Sequence, residues 1–269
     1  MEKLDRLKNI LGEITGAVVA FSGGVDSTLL TILAHKVLGD RMLAVTAVSP
    51  TYPEEQLEEA REIAARYGFA LKIIQTDEFE EPDFIANPPD RCYYCKSALF
   101  RELRRIADSQ GFSTLMDGAN LDDLGDHRPG HRAAHEYGVR SPLQEAELTK
   151  ADIRIISHDL DLPTWNKPAY ACLASRIPYG RQITREALSR IDLAERFLKS
   201  LGLREVRVRD HHPVARVEVN PAELNLAWLE RAMIARELHA IGFPYVTLDL
   251  DGFRSGSMNA VLAAEQRES

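Results

Sequence analysis

Ala17-Val18-Val19-Ala20-Phe21-Ser22-Gly23-Gly24-Val25-Asp26-Ser27 is the stretch that decides the fold. Its first five residues form a short, continuous apolar run, the composition of a strand buried on both faces. Beyond Ser27, the residues Leu29, Leu30, Leu33, Val37 and Leu38 recur at helical spacing. The segment between strand and helix therefore turns the chain, and its glycines allow a tight turn and a close approach to an anion. Amides at the following helix N-terminus point at that anion, and Ser22 and Ser27 add hydroxyl donors. The loop lacks the Gly-x-x-x-x-Gly-Lys spacing, so it brings no lysine of its own, and it is not the Gly-x-Gly-x-x-Gly dinucleotide pattern.

Working outward, a second strand is expected at Met42–Val48, then a helix from Pro53 to about Tyr67, with Pro53 suited to its first turn. A strand at Ala70–Gln75 leads through an acidic stretch to Asn87-Pro88-Pro89-Asp90, a helix at Lys96–Gln110 and a strand at Thr114–Asp117. Strands alternating with helices predict an α/β fold with a parallel sheet, crossover helices on both faces, and ligands beyond the carboxyl ends of the strands. After Tyr179-Gly180 the pattern changes. A helix at Thr184–Leu201, strands at Glu205–Arg209 and Ala215–Val219, a long helix at Pro221–Ile241 and a strand at Tyr245–Leu250 predict a second, smaller α/β unit. The boundary falls between Pro163 and Gly180, which gives domains of residues 1–170 and 171–269. The polar tail, Ala263–Ser269, is expected to fray.

Composition narrows the function. Of the 269 residues 45% are hydrophobic and 28% charged, the balance of a globular protein with a core. A formal charge of -8 argues against a general nucleic-acid binder. No apolar run approaches the roughly 18 residues that cross a bilayer. The N-terminal Met1–Lys8 alternates charge with leucine and reads as an amphipathic helix, not a signal peptide. The expectation is a cytoplasmic protein, and three cysteines in a reducing compartment point to chemistry more than to disulfides.

Ser22–Ser27 resembles the Ser-Gly-Gly-x-Asp-Ser loop of the PP-loop ATP pyrophosphatases. That superfamily includes NAD synthetases, the ATP-splitting domain of GMP synthetases, asparagine synthetases and tRNA thiolation enzymes. The resemblance implies that Ser22, Gly23, Gly24, Asp26 and Ser27 hold the pyrophosphate of ATP, with Asp26 and Ser27 essential to adenylation. Gly118-Ala119-Asn120-Leu121-Asp122-Asp123 resembles the superfamily's second signature, which adds Gly118 and Asn120 to the nucleotide site. Asp122 and Asp123 are paired carboxylates suited to a Mg²⁺ ion that keeps several waters; the plainer alternative is a polar loop that caps a helix.

Cys92 and Cys95 form Cys-Tyr-Tyr-Cys, and Cys172 lies in Lys167–Gly180. A lone C-x-x-C is a redox pair, half a zinc site or two unrelated thiols. Closed structural zinc needs four ligands, whereas three thiolates suit a [4Fe-4S] cluster with one open iron. A single reactive thiol at Cys172 and incidental thiols are the other readings. Asn87–Lys96, Gly118–Asp123, Lys167–Gly180 and Gly252–Asn259 together resemble the LarE family of pyridinium-3,5-biscarboxylic acid mononucleotide sulfurtransferases, over nearly the whole chain. Ala171–Arg176 is the most family-specific part. The resemblance implies adenylation of a pyridinium carboxylate mononucleotide by Mg·ATP, then conversion to a thiocarboxylate in nickel-pincer nucleotide biosynthesis, by a homo-oligomer. Cys172 matches the sulfur-donating cysteine of sacrificial members; the added Cys92 and Cys95 match the branch in which three cysteines hold a [4Fe-4S] cluster, so the three sulfurs are expected to converge.

Arg176 lies four residues past Cys172, and Arg207 and Arg209 alternate on one face of a predicted strand. Guanidinium groups suit phosphate and carboxylate, and the resemblance implies a substrate-phosphate role for such arginines; a solvated strand face is the alternative. Glu195, Glu218 and Glu223 are possible acidic partners in that pocket, with solvated surface the favoured reading for each; His211-His212 could ligate metal, with an exposed turn the favoured reading; Arg254 receives no role. The rival functions are another PP-loop enzyme, an ammonia-using synthetase or a tRNA thiolase, and a nucleotide-binding sensor without turnover.

Overall fold

The computed structural model describes residues 2–254 except positions 53, 77, 126–128 and 169–171. The chain divides into two compact units, one of Met1–Phe84 with Pro88–Tyr170 and one of Ile85–Asn87 with Ala171–Ser269.

The first unit runs α1 (Glu2–Gly12), β1 (Ala17–Ala20), α2 (Val25–Leu38), β2 (Met42–Val48), α3 (Glu54–Tyr67), β3 (Leu71–Gln75), α4 (Pro82–Ile85), α5 (Arg91–Gln110), β4 (Thr114–Met116), α6 (Pro129–Glu136), β5 (Val139–Arg140), α7 (Pro142–Glu145) and α8 (Lys150–Asp159). Its five strands form a parallel sheet in the order β3-β2-β1-β4-β5. The period of two along β1 explains its unbroken apolar run. Ala17 and Val19 join one buried cluster with Leu7, Leu11, Leu29, Leu30, Leu33 and Ile153. Val18 joins the opposite cluster with Val45, Phe100, Leu103 and Leu115. Each such leucine or phenylalanine contributes about 1.5–3 kcal/mol by leaving water. The chain steps outward from β1 to β3, then returns to the other side of β1 with β4. That reversal opens the crevice in which doubly wound sheets bind ligands, and the loops after β1 and β4 flank it.

The second unit contains α9 (Arg185–Ser200), β6 (Val206–His211), β7 (Val214–Val219), α10 (Leu224–Leu229), α11 (Arg231–Ile241) and β8 (Tyr245–Leu248). Its three-stranded sheet has the order β6-β7-β8, with β6 and β7 antiparallel and β7 and β8 parallel. Val206, Val208, Ala215, Val217 and Val219 pack with Ala194 and Leu198 of α9, Ile234 and Leu238 of α11, and Phe243. This confirms the α/β class and a small C-terminal sheet.

Several boundaries differ from expectation. Helix α5 begins at Arg91, five residues before the expected Lys96, and so takes Cys92 and Cys95 into its first turn. Pro88 and Pro89 exclude an earlier start, and nothing from Arg91 onward opposes helix. The long helix expected at Pro221–Ile241 is three pieces: a 3₁₀ turn at Pro221–Glu223, then α10 and α11, which meet at Glu230 with φ -85° and ψ 6°. The short elements α6, β5 and α7, and the longer α8, are additions to the expected order. The expected Pro53 start and the tail Ala263–Ser269 lie outside the described residues. Among the described residues no helix is long and apolar enough to cross a membrane.

Helix α8 is fixed at its start by a capping box: Thr149 Oγ1 accepts from Asp152 N at 3.1 Å, and Asp152 Oδ2 accepts from Thr149 N at 3.0 Å. Thr149→Ala is expected to cost about 1 kcal/mol, read as a lowered urea midpoint with an unchanged slope.

Candidate functional site

Gly24 caps α2 with extended backbone and no side-chain bond, and Gly23 sits at φ +70°, a left-handed conformation that glycine adopts without penalty. The loop is braced internally. Ser22 N donates to Ser27 Oγ at 3.2 Å, the two hydroxyls lie 3.0 Å apart, and Ser27 Oγ donates to Gly24 O at 3.3 Å. Tyr52, in the loop after β2, donates its hydroxyl to Ser22 O at 3.0 Å. Burial, reinforced by the Glu59 charge, pushes the Tyr52 phenol up to about 12, so it remains a donor across ordinary pH.

The loop after β4 comes against this one through Gly118. A Cβ at Gly118 would lie 2.9 Å from Ser27 N and 3.1 Å from Ser27 Cα, both backbone atoms that cannot yield, so only glycine allows the approach. Asn120 Nδ2 donates to Asp26 Oδ1 at 3.4 Å, which ties the two loops together. Asp123 is buried and accepts from Asn120 N at 2.9 Å, while Asp122 N donates to Asn120 Oδ1 at 3.0 Å. Asp122 Oδ2 accepts from Lys150 N at 2.8 Å. Ser22, Gly23, Gly24, Asp26, Ser27, Gly118, Asn120, Asp122 and Asp123 thus gather at the carboxyl ends of β1 and β4. Two lysines join them: Lys150, which no motif marks, pairs with Asp26, and Lys167, the first residue of the family-matching Lys167–Gly180 segment, pairs with Glu59 and donates to Gly23 O at 3.0 Å. The one signal that could point to them is the missing lysine of the loop itself.

Cys92 and Cys95 fall in the first five residues of α5, three positions apart and so neighbours on one face. Cys95 Sγ lies 3.7 Å from Oε1 of the buried Glu78. Helix α6 clamps the same turn: Tyr93 donates to Glu136 Oε2 at 2.7 Å, and the Arg132 guanidinium stands 3.7 Å from the Tyr93 ring centre. Cys172 belongs to the second unit, exposed, at the cap of a 3₁₀ turn, Leu173–Arg176. All three cysteines are free thiols. Among the described residues no group of three or more His, Cys, Asp and Glu side chains is gathered so as to hold a metal ion.

The arginines are not a solvated face. Arg176, Arg207 and Arg209 are 1%, 6% and 5% exposed. Arg176 grips Glu195 through two bonds of 2.8 and 2.9 Å and donates to Cys172 O at 3.2 Å. Glu195 Oε1 also accepts from Val208 N at 3.0 Å. Arg209 reaches Glu218 Oε2 at 2.7 Å and Ser175 O at 3.1 Å, and Arg216 reaches Glu218 Oε1 at 3.0 Å. Arg207 donates to Val206 O at 2.8 Å, with its guanidinium 4.8 Å from the Phe253 ring centre. Burial, and then the like charges of Arg176 and Arg209, push Arg207 down to about 10, which still leaves it a cation at neutral pH. Glu195 and Glu218, expected on the surface, are buried, because each neutralises a buried arginine; Glu223 is half-buried and accepts from Arg204 N at 3.1 Å. His211 is half-buried at the end of β6 with its imidazole pushed down by burial, and His212 is exposed. Arg254 is exposed and pairs with Asp251 at 2.9 Å. Residues 169–171 and 255–259 of the two family-matching segments lie outside the described residues.

Residues 5–82 match the family model described as NAD synthase. Over 262 residues the chain is 45% identical to an uncharacterized protein of Synechocystis, covering 97% of this chain and 98% of that one. It is 39% identical over 257 residues to the pyridinium-3,5-bisthiocarboxylic acid mononucleotide synthase of Lactiplantibacillus plantarum, covering 95% and 93%. A more distant likeness, 28% over 157 residues and about half of each chain, joins it to a glutamine-hydrolyzing GMP synthase of Archaeoglobus fulgidus.

The two strand arginines should separate in a stability measurement. Arg209→Ala strips Glu218 of a buried partner and is expected to cost about 3 kcal/mol, the low end for a broken buried pair because Arg216 remains. Arg207→Ala removes a cation that burial and the like charges of Arg176 and Arg209 disfavour, against the favourable charges of Glu195 and Glu205, and should cost less. Urea denaturation of both variants checks the order.

Proposed function

The chain belongs to the pyridinium-3,5-bisthiocarboxylic acid mononucleotide synthase (LarE) family, and from that premise we propose that it is an ATP-dependent sulfurtransferase of nickel-pincer nucleotide biosynthesis. On this reading it adenylates a carboxylate of a pyridinium carboxylate mononucleotide and exchanges the adenylate for a thiocarboxylate. What supports the first half is the meeting of Ser22–Ser27 with Gly118–Asp123 at the reversal of the parallel sheet.

In the first step a substrate carboxylate oxygen attacks the α-phosphorus of ATP; the bond to the bridging oxygen of the β-phosphate breaks and pyrophosphate leaves. Ser22, Ser27 and the amides of Gly23 and Gly24 hold the departing pyrophosphate, and Gly118 and Asn120 complete the nucleotide site. The loops act by positioning and by neutralising charge as it develops. Mg²⁺ would be held by Asp122 and Asp123, directly or through water, beside the loop that carries Asp26. Arg207, Arg209 and Arg176 take the phosphate of the mononucleotide.

In the second step a sulfur nucleophile attacks the acyl carbon and AMP leaves. Three free thiols are the donor set that a [4Fe-4S] cluster takes, and Cys92, Cys95 and Cys172 would hold one that supplies the sulfide. Arg176, by donating to Cys172 O, fixes the backbone at that cysteine. Free thiols suit the reducing cytoplasm, and exposed Trp228, Leu229 and Tyr245 are the apolar surface that a homo-oligomer would cover.

The expected products of the first step are AMP and pyrophosphate. Asp26→Ala or Ser27→Ala should abolish pyrophosphate release while the far-ultraviolet spectrum stays as wild type; accumulation of ADP with substrate present would remove the adenylation reading. For the second step, protein reconstituted anaerobically should bind about four irons, and substituting any one cysteine should lower that number and stop repeated turnover. If Cys172 alone matters and turnover ends after one sulfur per chain, Cys172 is itself the sulfur source and the cluster leaves the account.

A further inference from the structure

The chain leaves the first unit at Phe84, lends Ile85–Asn87 to the second, and returns at Pro88. Those three residues are held by backbone and side chain together. Ile183 N donates to Ile85 O at 3.0 Å, and Gly180 N donates to Asn87 O at 2.9 Å. Asn87 is 0% exposed, and its Nδ2 donates to Pro178 O at 2.7 Å, Arg181 O at 3.1 Å and Ile177 O at 3.3 Å. An amide carries two hydrogens, so the three carbonyls share them. The backbone at Asn87 is left-handed, with φ +55°, a conformation that asparagine tolerates better than most residues but that still costs free energy. Such a residue persists only where its surroundings fix it.

A cysteine lies close along the chain from each partner of this staple. Cys92 follows Asn87 by five positions, and Ile177 follows Cys172 by five. Both connections are stiff. On one, Pro88 and Pro89 fix their own φ, and Arg91 N donates to Pro88 O at 3.0 Å as α5 begins. On the other, Leu173–Arg176 is a 3₁₀ turn, in which Ser175 N donates to Cys172 O at 2.9 Å and Ile177 N donates to Ala174 O at 3.1 Å. Along the chain Cys172 follows Cys92 by 80 positions. Through the staple the connection is ten residues, five on each side.

We propose that Asn87 is a positioning residue for the three thiols: its one side chain sets the path of the Cys172 turn directly, and that of the Cys92–Cys95 turn through residues 88–91. The assignment rests on the reading above in which those thiols act together, and deepens it by naming what ties their segments to one another. Shortening a tether from 80 residues to ten raises the effective concentration of its ends by roughly 20-fold, the −3/2 power of its length. Aspartate at this position would keep the size of the side chain and the tolerance for left-handed backbone. It would have no hydrogen to give, and would face three carbonyls with a negative charge.

Crosslinking of the full chain, reduced and free of iron, tests this without dependence on turnover. Dibromobimane, a short reagent that alkylates two thiols, is applied to wild type and to Asn87→Asp, and digestion with mass spectrometry counts the links. The Cys92–Cys95 link lies within α5 and serves as the internal reference. Wild type should also give links from Cys172 to Cys92 or Cys95. In Asn87→Asp these should fall roughly 20-fold against the reference, with the far-ultraviolet spectrum unchanged. Reconstituted Asn87→Asp should lose iron to a chelator faster than wild type. If Asn87→Asp does not fold, Asn87→Gly, which keeps the left-handed backbone and removes the amide, should show the same loss of links. Links to Cys172 that are unchanged in a folded variant would show that Asn87 merely shapes residues 177–181, and would leave the three-thiol reading standing. A wild type with no such links overturns the assignment; if it also takes up no iron, the cluster falls with it. Links that depend on Asn87, in a chain that releases no pyrophosphate with the pyridinium nucleotide, support the staple and refute the proposed reaction.

Discussion

The backbone contact between Gly118 and Ser27 is the constraint on which the first unit turns. Two loops from adjacent parallel strands must approach closely enough to share one ligand, and a Cβ at position 118 would stand 2.9 Å from a backbone nitrogen. Everything else at the site presupposes that approach. Asn120 reaches Asp26 only because Gly118 has brought the loops together, and Lys150 meets both, its amide on Asp122 and its ammonium on Asp26. The rigid elements beneath supply the precision: β1, buried on both faces, carries one flanking loop, and β4, hydrogen-bonded beside it, carries the other.

The second unit solves a different problem. Its small sheet is apolar on one side and strongly charged on the other, yet the charged side is buried too. A guanidinium taken from water without a partner is costly, and here Glu195 and Glu218 serve Arg176 and Arg209 with well-formed pairs. Arg207 stands among like charges, which burial makes harder to tolerate.

The sequence made the parallel sheet and the position of the glycine loop legible because both depend on local patterns, a doubly buried strand and an immediate helix. Gly118–Asp123 was legible through its resemblance to the superfamily's second signature. Lys150 and Lys167 were not, since what makes them part of the site is a packing of segments more than a hundred residues apart. Glu195 and Glu218 misled because a carboxylate on an amphipathic helix or strand ordinarily faces water, and only the buried arginines opposite reverse that preference. The true start of α5 is hidden because Cys-Tyr-Tyr-Cys has no helical hydrophobic period; its helix is held from outside, by Arg132 and Glu136 of α6 acting on Tyr93.

The bond from Val208 N to Glu195 has a bearing beyond charge pairing. Strand β6 lies at the margin of its sheet, where unpaired amides invite a strand from another chain. Glu195 covers one of those amides with a carboxylate oxygen that a foreign carbonyl would have to displace, and in doing so would uncouple Arg176. The side chain that orders the arginine thus also guards the sheet against edge-to-edge aggregation, a protection available during synthesis as soon as α9 and β6 have formed.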